Sequence, residues 1–256
     1  MAQSFRASEI IDIARREGKV TVEGLAAHFG VTLQTIRRDL TELADSGKLD
    51  RVHGGAVLPS GINNIGYEDR RTLNQASKVD IARKCAHDIP EDCSLFLNIG
   101  TTTEAVAAEL KSHRNLMVVT NNMNVATTLV ANETCQVIVA GGRLRRTDGG
   151  LVGTLTTETI RQFKFDIAVI GCSAVDADGD IMDFDVDEVG VSQTIINRAR
   201  KVILVADHTK FQRSAPARIG TLEMVDAIYT DRPLNDELMQ RCDEWNTAVI
   251  ICEPTE

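Results

Sequence analysis

Apolar residues recur at helical spacing in three short bursts at the start of the chain. Ile10, Ile11, Ile13 and Ala14 follow Ser8, a residue that can cap a helix, and Gly18 supplies the stop signal. Thr21 heads a second burst of Val22, Leu25, Ala26 and Phe29, closed by Gly30. Thr32 heads the third, in which Leu33, Ile36, Leu40 and Leu43 fall at i, i+3, i+7 and i+10. That stripe predicts a buried face, with Gln34, Thr35, Arg37 and Arg38 opposite it, and Ser46-Gly47 ends the helix. From Leu49 to Val57 the pattern shifts toward alternation around Gly54-Gly55, which predicts two short strands with Arg51 and His53 near their tip. Three helices followed by a hairpin is the order of a winged helix-turn-helix, placed at residues 1–57.

Residues 58–74 then lose periodicity in Pro59, Ser60, Gly61, Asn63, Asn64 and Gly66, which reads as a linker. Beyond it a helix is expected over Lys78 to His87, and short apolar runs alternate with helical stretches to the end of the chain. The runs are Leu95 to Ile99, Leu116 to Thr120, Val137 to Ala140, Ile167 to Gly171, Val202 to Ala206, Ala227 to Thr230 and Ala248 to Cys252. Between them lie helical stretches at Thr103 to Leu110, Met123 to Ala131, Thr156 to Phe163, Glu188 to Arg200 and Asn235 to Trp245. This alternation predicts, for residues 75–256, a larger α/β domain whose mostly parallel sheet carries helices on both faces. The fold class is therefore α/β with a small winged helix-turn-helix head.

Composition narrows the class. With 43% hydrophobic and 25% charged residues the chain lies outside the signature of disorder. No apolar stretch approaches the roughly 18 residues of a membrane span, and residues Met1 to Arg6 open no signal peptide, so a cytoplasmic location and no membrane partner are expected. Six scattered cysteines form no Cys-x-x-Cys and have no His at ligand spacing. They read as reduced, buried apolar residues, with no metal and no cofactor expected. A net charge of −9 argues against nucleic acid as a partner until its distribution is considered. The first 57 residues hold eight Lys/Arg and eight Asp/Glu, while the remaining 199 hold 20 and 29. A neutral head on an acidic body would present the head to a polyanion and keep the body away.

The third helix has what a DNA reader needs: a stripe to bury, and short polar and Arg side chains projecting from its first turns. Gln34 and Thr35 would reach base edges, and Arg37 or Arg38 could bind guanine or phosphate bidentately. Asp39 cannot face phosphate and should pair with a neighbouring arginine. Arg51 and His53 of the wing would lie along the backbone or minor groove. Taken alone, the same pattern also describes an amphipathic helix with a solvated face.

In the larger domain, a predicted strand runs into Gly100-Thr101-Thr102-Thr103 and then a helix, so that free amides and hydroxyls could cradle a phosphate. A Thr-rich cap without a ligand reads equally well on this motif alone. Asn121, Gly141 and Gly142, and Lys210 stand at other strand ends, with Arg143 just beyond, and ligands of open α/β sheets sit at such ends. Asn121 would bond hydroxyls, and Lys210 and Arg143 would meet a phosphate. The acidic run Asp176, Asp178, Asp180, Asp183, Asp185, Asp187 and Glu188 lacks the order of a calcium loop and reads as a solvated loop at most touching another subunit. Its first two members, with Lys210, could instead serve a sugar-phosphate isomerase carrying an accessory head.

At these residues the chain resembles the DeoR family of bacterial repressors over essentially its whole length. The likeness rests on Thr35-Ile36-Arg37-Arg38-Asp39-Leu40, the wing Arg51-Val52-His53-Gly54-Gly55-Ala56 and Ile99-Gly100-Thr101-Thr102. It extends to Thr120-Asn121, Ala140-Gly141-Gly142, Asp148-Gly149-Gly150 and Asp207-His208-Thr209-Lys210-Phe211. The resemblance implies a sensor domain related to ribose-5-phosphate isomerase, with Asp148 added to the effector residues. It also implies a homo-oligomer, dimer or tetramer, that leaves double-stranded operator DNA when a phosphorylated small molecule binds. By the motifs matched, sn-glycerol 3-phosphate is the expected effector.

Overall fold

A computed structural model describes residues 2–17, 19–52, 54–57 and 64–254. Gly18, His53 and the Pro59-Ser60-Gly61 stretch therefore lie outside the described residues. Tertiary contacts divide the chain into two compact units, Met1–Leu73 and Asn74–Glu256.

The head begins with α1 (Ala2–Glu17), so Ser8 lies inside a helix that it was expected to cap. A short strand, β1 (Lys19–Thr21), leads into α2 (Val22–Phe29), capped by the Thr21 hydroxyl, which accepts from the Gly24 amide. Gly30 closes α2 at φ 63°, a left-handed turn that costs glycine little, and lets the chain reverse into α3 (Leu33–Asp45). Thr32 caps α3 by accepting from Thr35. Ile36, Leu40 and Leu43 pack with Ile10, Ala14, Val22 and Leu25 in one small core. Leu33, the first residue of α3, departs from its stripe and is 42% exposed. The wing is β2 (Asp50–Val52) antiparallel to β3 (Gly55–Val57), and β3 also pairs with β1, making three strands where two were expected. A short helix, α4 (Tyr67–Thr72), occupies part of the stretch read as linker.

In the second unit α5 (Gln75–Asp88) precedes β4 (Ser94–Leu97), α6 (Thr101–Glu109), β5 (Leu116–Thr120), α7 (Met123–Leu129) and β6 (Cys135–Val139). A hairpin of two-residue strands, β7 (Arg143–Leu144) and β8 (Leu151–Val152), interrupts the alternation before α8 (Thr154–Arg161) and β9 (Phe165–Ile170). Next come β10 (Ala174–Val175), β11 (Asp180–Asp183), α9 (Val186–Arg198), β12 (Ala199–Val205) and β13 (Ala217–Thr221). The unit ends with β14 (Ala227–Thr230), α10 (Asp236–Trp245) and β15 (Ala248–Ile251). Seven strands form one sheet in the order β15-β14-β12-β9-β4-β5-β6, parallel at every pairing.

Alternate side chains of these strands feed two cores. Leu95, Leu97, Val118, Val169 and Val205 meet α5, α6 and α7 on one face. Phe96, Val119, Ala168, Ile170 and Leu204 meet α8, α9 and α10 on the other. The inner strands are buried on both faces and so read as continuous apolar runs, whereas the edge strands β6 and β15 are only partly buried yet keep apolar runs of the same length. The acidic run is not simply a solvated loop: Asp180 to Asp183 form β11 in a second, antiparallel sheet, and Asp183 and Glu188 are buried. No helix among the described residues is long and apolar enough to cross a membrane.

Candidate DNA-contacting surface and effector site

On the head, burial of Ile36, Leu40 and Leu43 turns the opposite side of α3 outward. Thr32, Gln34, Thr35, Arg37, Arg38 and Thr41 line one hollow of about 670 Å³. Arg38 pairs with Glu42 one turn on at 3.4 Å, both side chains more than half exposed, so a phosphate can compete for it. Asp39 is nearly inaccessible and accepts two bonds from Arg6 of α1, one of them 3.1 Å long. The pairing expected for Asp39 exists, but its partner lies 33 residues away rather than on the neighbouring turn. Arg51 turns away from the wing tip toward α3, its Nη1 lying 3.0 Å from the Arg37 carbonyl oxygen.

On the larger unit, parallel pairing carries the carboxyl ends of β4, β5, β6, β9 and β12 to the same edge of the sheet. Gly100 stands at the start of α6, and Thr101 is half-buried on its first turn with Thr102 buried beside it. The Thr103 hydroxyl is turned back into its own loop, donating to the carbonyls of Asn98 and Gly100 at 2.8 Å each. Asn121 donates to the Leu151 carbonyl at 3.0 Å, while its Oδ1 is buried without a hydrogen-bond partner.

Gly141 and Gly142 start the β7–β8 hairpin. A Cβ on Gly142 would lie 2.0 Å from the Thr156 hydroxyl oxygen and 2.9 Å from the Val152 carbonyl oxygen, so no larger residue fits there. The hairpin is bound to the β5–α7 turn: Leu151 donates to the Asn121 carbonyl, Met123 to that of Gly149, and the Asn124 side chain to that of Asp148. Glu104 of α6 in turn accepts from both Asn122 and Asn124. These bonds tie the Gly-Thr turn, the Asn pair and the hairpin into one assembly.

Asp148 is 3% exposed and its carboxylate is engaged by Arg145 rather than open to a ligand. Arg145 also reaches Asp185 at 2.6 Å and Glu188 at 2.8 Å, anchoring the hairpin to the start of α9. Burial acts against its charge, but the surrounding carboxylates more than compensate and raise its pKa. Arg143 sits outside this cluster, paired with Asp187 and largely exposed.

Lys210 occupies the turn after β12. Asp207 at that strand end is buried, which alone would raise its carboxyl pKa. Lys210, the Thr209 hydroxyl, Lys78 and Asn74 together hold it below the ordinary carboxylate range. The Asn74 side chain donates to Asp207 at 3.0 Å, bringing the start of α5 and its buried Lys78 to this edge. The end of β9 lies between β4 and β12, with Asn98 and Gly171 bonded across the gap at 3.0 Å. Cys172 there is surrounded by the charges of Lys210, Asp183, Asp207 and Arg213, and burial pushes its thiol up to about 12. The sequence pattern assigned no role at this edge to Lys78, Asn98, Asp183 or Arg213. Lys78 looks like an ordinary helix position, and only the polar Gly171-Cys172-Ser173 end of an apolar run could have directed attention to β9.

Next to this edge His208 Nδ1 lies 2.7 Å from Asp231, whose other oxygen accepts from the His208 amide. Burial would raise Asp231, yet the His208 side chain and amide and the Ser77 hydroxyl bring it down to about 2. The folded state thus binds this proton more weakly than the unfolded chain. Its stabilisation is complete above the normal carboxylate range and is lost as pH falls from about 4 toward 2. Asp231→Asn is expected to lower stability by about 1–2 kcal/mol at neutral pH, with the gap from wild type closing through that acid window in urea melts.

The set considered for an isomerase is not assembled. Asp176 accepts from the amides of Asp178 and Asp180 in a turn, and Asp178 faces Arg241, while Lys210 lies beside Asp207. No group of three or more His, Cys, Asp or Glu among the described residues is arranged to hold a metal ion.

A helix-turn-helix head with an outward arginine pair, joined to an α/β unit with a polar strand edge, defines a transcription regulator with a sensor domain. Residues 6–61 match the DeoR-like helix-turn-helix domain and residues 73–232 the DeoR C terminal sensor domain. The chain belongs to the DeoR family. It is 45% identical to the glycerol-3-phosphate regulon repressor of Escherichia coli, covering 98% of this chain and all of that one. Against the repressor of the same name from Haemophilus influenzae it is 43% identical over 98% of each chain. Among solved structures, ribose 5-phosphate isomerase A from Methanocaldococcus jannaschii aligns with 54% of this chain and 55% of its own at 12% identity and a TM-score of 0.40. With relatives named as repressors along their whole length, the chain is a DNA-binding regulator and not an enzyme.

Proposed function

We propose that this repressor senses sn-glycerol 3-phosphate at the carboxyl edge of its parallel sheet and releases operator DNA when the metabolite binds. One observation carries the reading: four strand ends bring the Gly100–Thr102 turn, Asn121, Gly141–Gly142 and Lys210 to a single edge. The amides at the start of α6 and the Lys210 ammonium suit a phosphate. The buried Asn121 Oδ1, which has no protein donor, suits a polyol hydroxyl, since an unmet buried acceptor is costly. Asp148 contributes by fixing the hairpin rather than by touching the ligand. On the head, Gln34, Thr35, Arg37 and Arg38 face the major groove.

The working species is a cytoplasmic oligomer of at least two copies, so that paired heads grip paired half-sites. Leu144, Leu155 and Val186, all more than half exposed, favour self-association around the hairpin. Leu155 lies against Gly141, and Val186 adjoins the Asp187 that pairs with Arg143 beside Leu144.

A metabolite can loosen DNA only by the difference in its affinity for the bound and free states. Thr102→Ala and Lys210→Ala should therefore keep operator affinity and lose the response to sn-glycerol 3-phosphate in an equilibrium DNA-binding titration. A normal response in both variants would move the pocket elsewhere.

A further inference from the structure

Arg51 belongs to the wing, where a cation is expected to lie on the DNA backbone, yet its guanidinium is bonded through Nη1 to α3. It projects from β2, opposite Ala56 of β3, and donates to the Arg37 carbonyl at 3.0 Å, with Thr41 Oγ1 at 3.5 Å. The Thr41 hydroxyl donates to the same carbonyl at 2.8 Å. That oxygen, already the acceptor of the helical ladder, thus gathers two further donors and fixes the backbone at the point from which the Arg37 side chain leaves. Two residues on, Asp39 is held by Arg6. Positions 37 and 39 stand about 200° apart around a helix, so bonds from the wing and from α1 grip α3 on opposite sides and set its rotation about its axis.

We propose that Arg51 is a positioning residue that acts on DNA through Arg37, holding the recognition helix in the rotation that aims Arg37 at the bases, and binds no phosphate itself. This rests on reading α3 as the recognition helix. Its energetic logic is pre-organisation: a side chain whose backbone is already fixed loses less freedom when it docks. Burial and the like charge of Arg37 both lower the Arg51 pKa, in keeping with a guanidinium turned into the protein rather than toward polyanionic solvent contacts.

The distinguishing experiment uses the full-length chain and duplexes that the wild type itself selects from a randomised library, titrated over a potassium chloride series. Arg51→Ala should bind the selected duplexes about tenfold or more weakly. Its slope of log affinity against log salt should match wild type, because no phosphate contact has been removed. Repeated selection with Arg51→Ala should relax base preference at the positions relaxed by Arg37→Ala, and the double variant should bind no worse than Arg37→Ala alone. Thr41→Val, a gentler change that keeps Arg51, should relax the same positions by a smaller factor. A slope shallower by about 0.9 for each head, or additive losses in the double variant, would overturn the proposal by showing a direct phosphate contact. Failure of the wild type to select any sequence would instead overturn the reading of α3, an outcome separate from these.

Discussion

Arg37→Ala and Arg38→Ala are each expected to weaken operator binding by about 1–3 kcal/mol per head, tenfold or more, while the fold is untouched. Both side chains stand clear of the core on the outer face of α3, so neither truncation opens a cavity or strands a buried charge. Their consequences should differ. A residue bonded to a base edge loses sequence discrimination when truncated, whereas one bonded to phosphate loses affinity uniformly and flattens the salt dependence. Arg37, whose backbone is pinned, is expected to show the first behaviour; Arg38, held only by an exposed pair with Glu42, the second. Gel shifts on operator and unrelated duplexes at several salt concentrations separate the two, and unchanged operator affinity in both variants would remove α3 from the interface.

Arg145→Ala is expected to destabilise the larger unit by about 3–5 kcal/mol, because it leaves the carboxylates of Asp148 and Glu188 buried without their cation, and Asp185 beside them. The neighbouring Arg143→Ala provides the contrast. Its pair with Asp187 is mostly in solvent, so its loss should cost under about 1 kcal/mol. Urea unfolding followed by circular dichroism reads both. Since Arg145 also fastens the hairpin, any folded fraction of Arg145→Ala should retain DNA binding and respond poorly to sn-glycerol 3-phosphate.

The contrast between these two arginines shows where sequence stops being legible. Both follow the Gly141-Gly142 pair, and local pattern offered Arg143 as a phosphate contact. Which of the two is buried depends on a hairpin with only two residues per strand, held by Asn121, Asn124 and α9, and contacts 20 to 40 residues distant leave no local periodicity. The strand β1 went unseen for a similar reason: Lys19, Val20 and Thr21 form a strand only because β3 lies alongside.

What local chemistry does dictate was readable. Thr21 and Thr32 cap helices because their hydroxyls stand where amides are unpaired, and the seven core strands declare themselves by apolar runs too short for helices. Gly100, Asn121, Gly141 and Lys210 follow the carboxyl ends of four parallel strands, so their placement along one edge was readable from the strand ends alone. Lys78 reaches that edge from a helix, and Asn98 from the end of β4 two residues before Gly100, through interactions that only the folded chain reveals.

The most direct measurement is the affinity of the purified chain for its promoter duplex across a salt series, with and without sn-glycerol 3-phosphate. A repressor of this design should prefer the promoter over unrelated DNA, lose affinity linearly in log salt, and bind more weakly once the metabolite is added. Equal binding to any duplex, or an affinity indifferent to the metabolite, would contradict it.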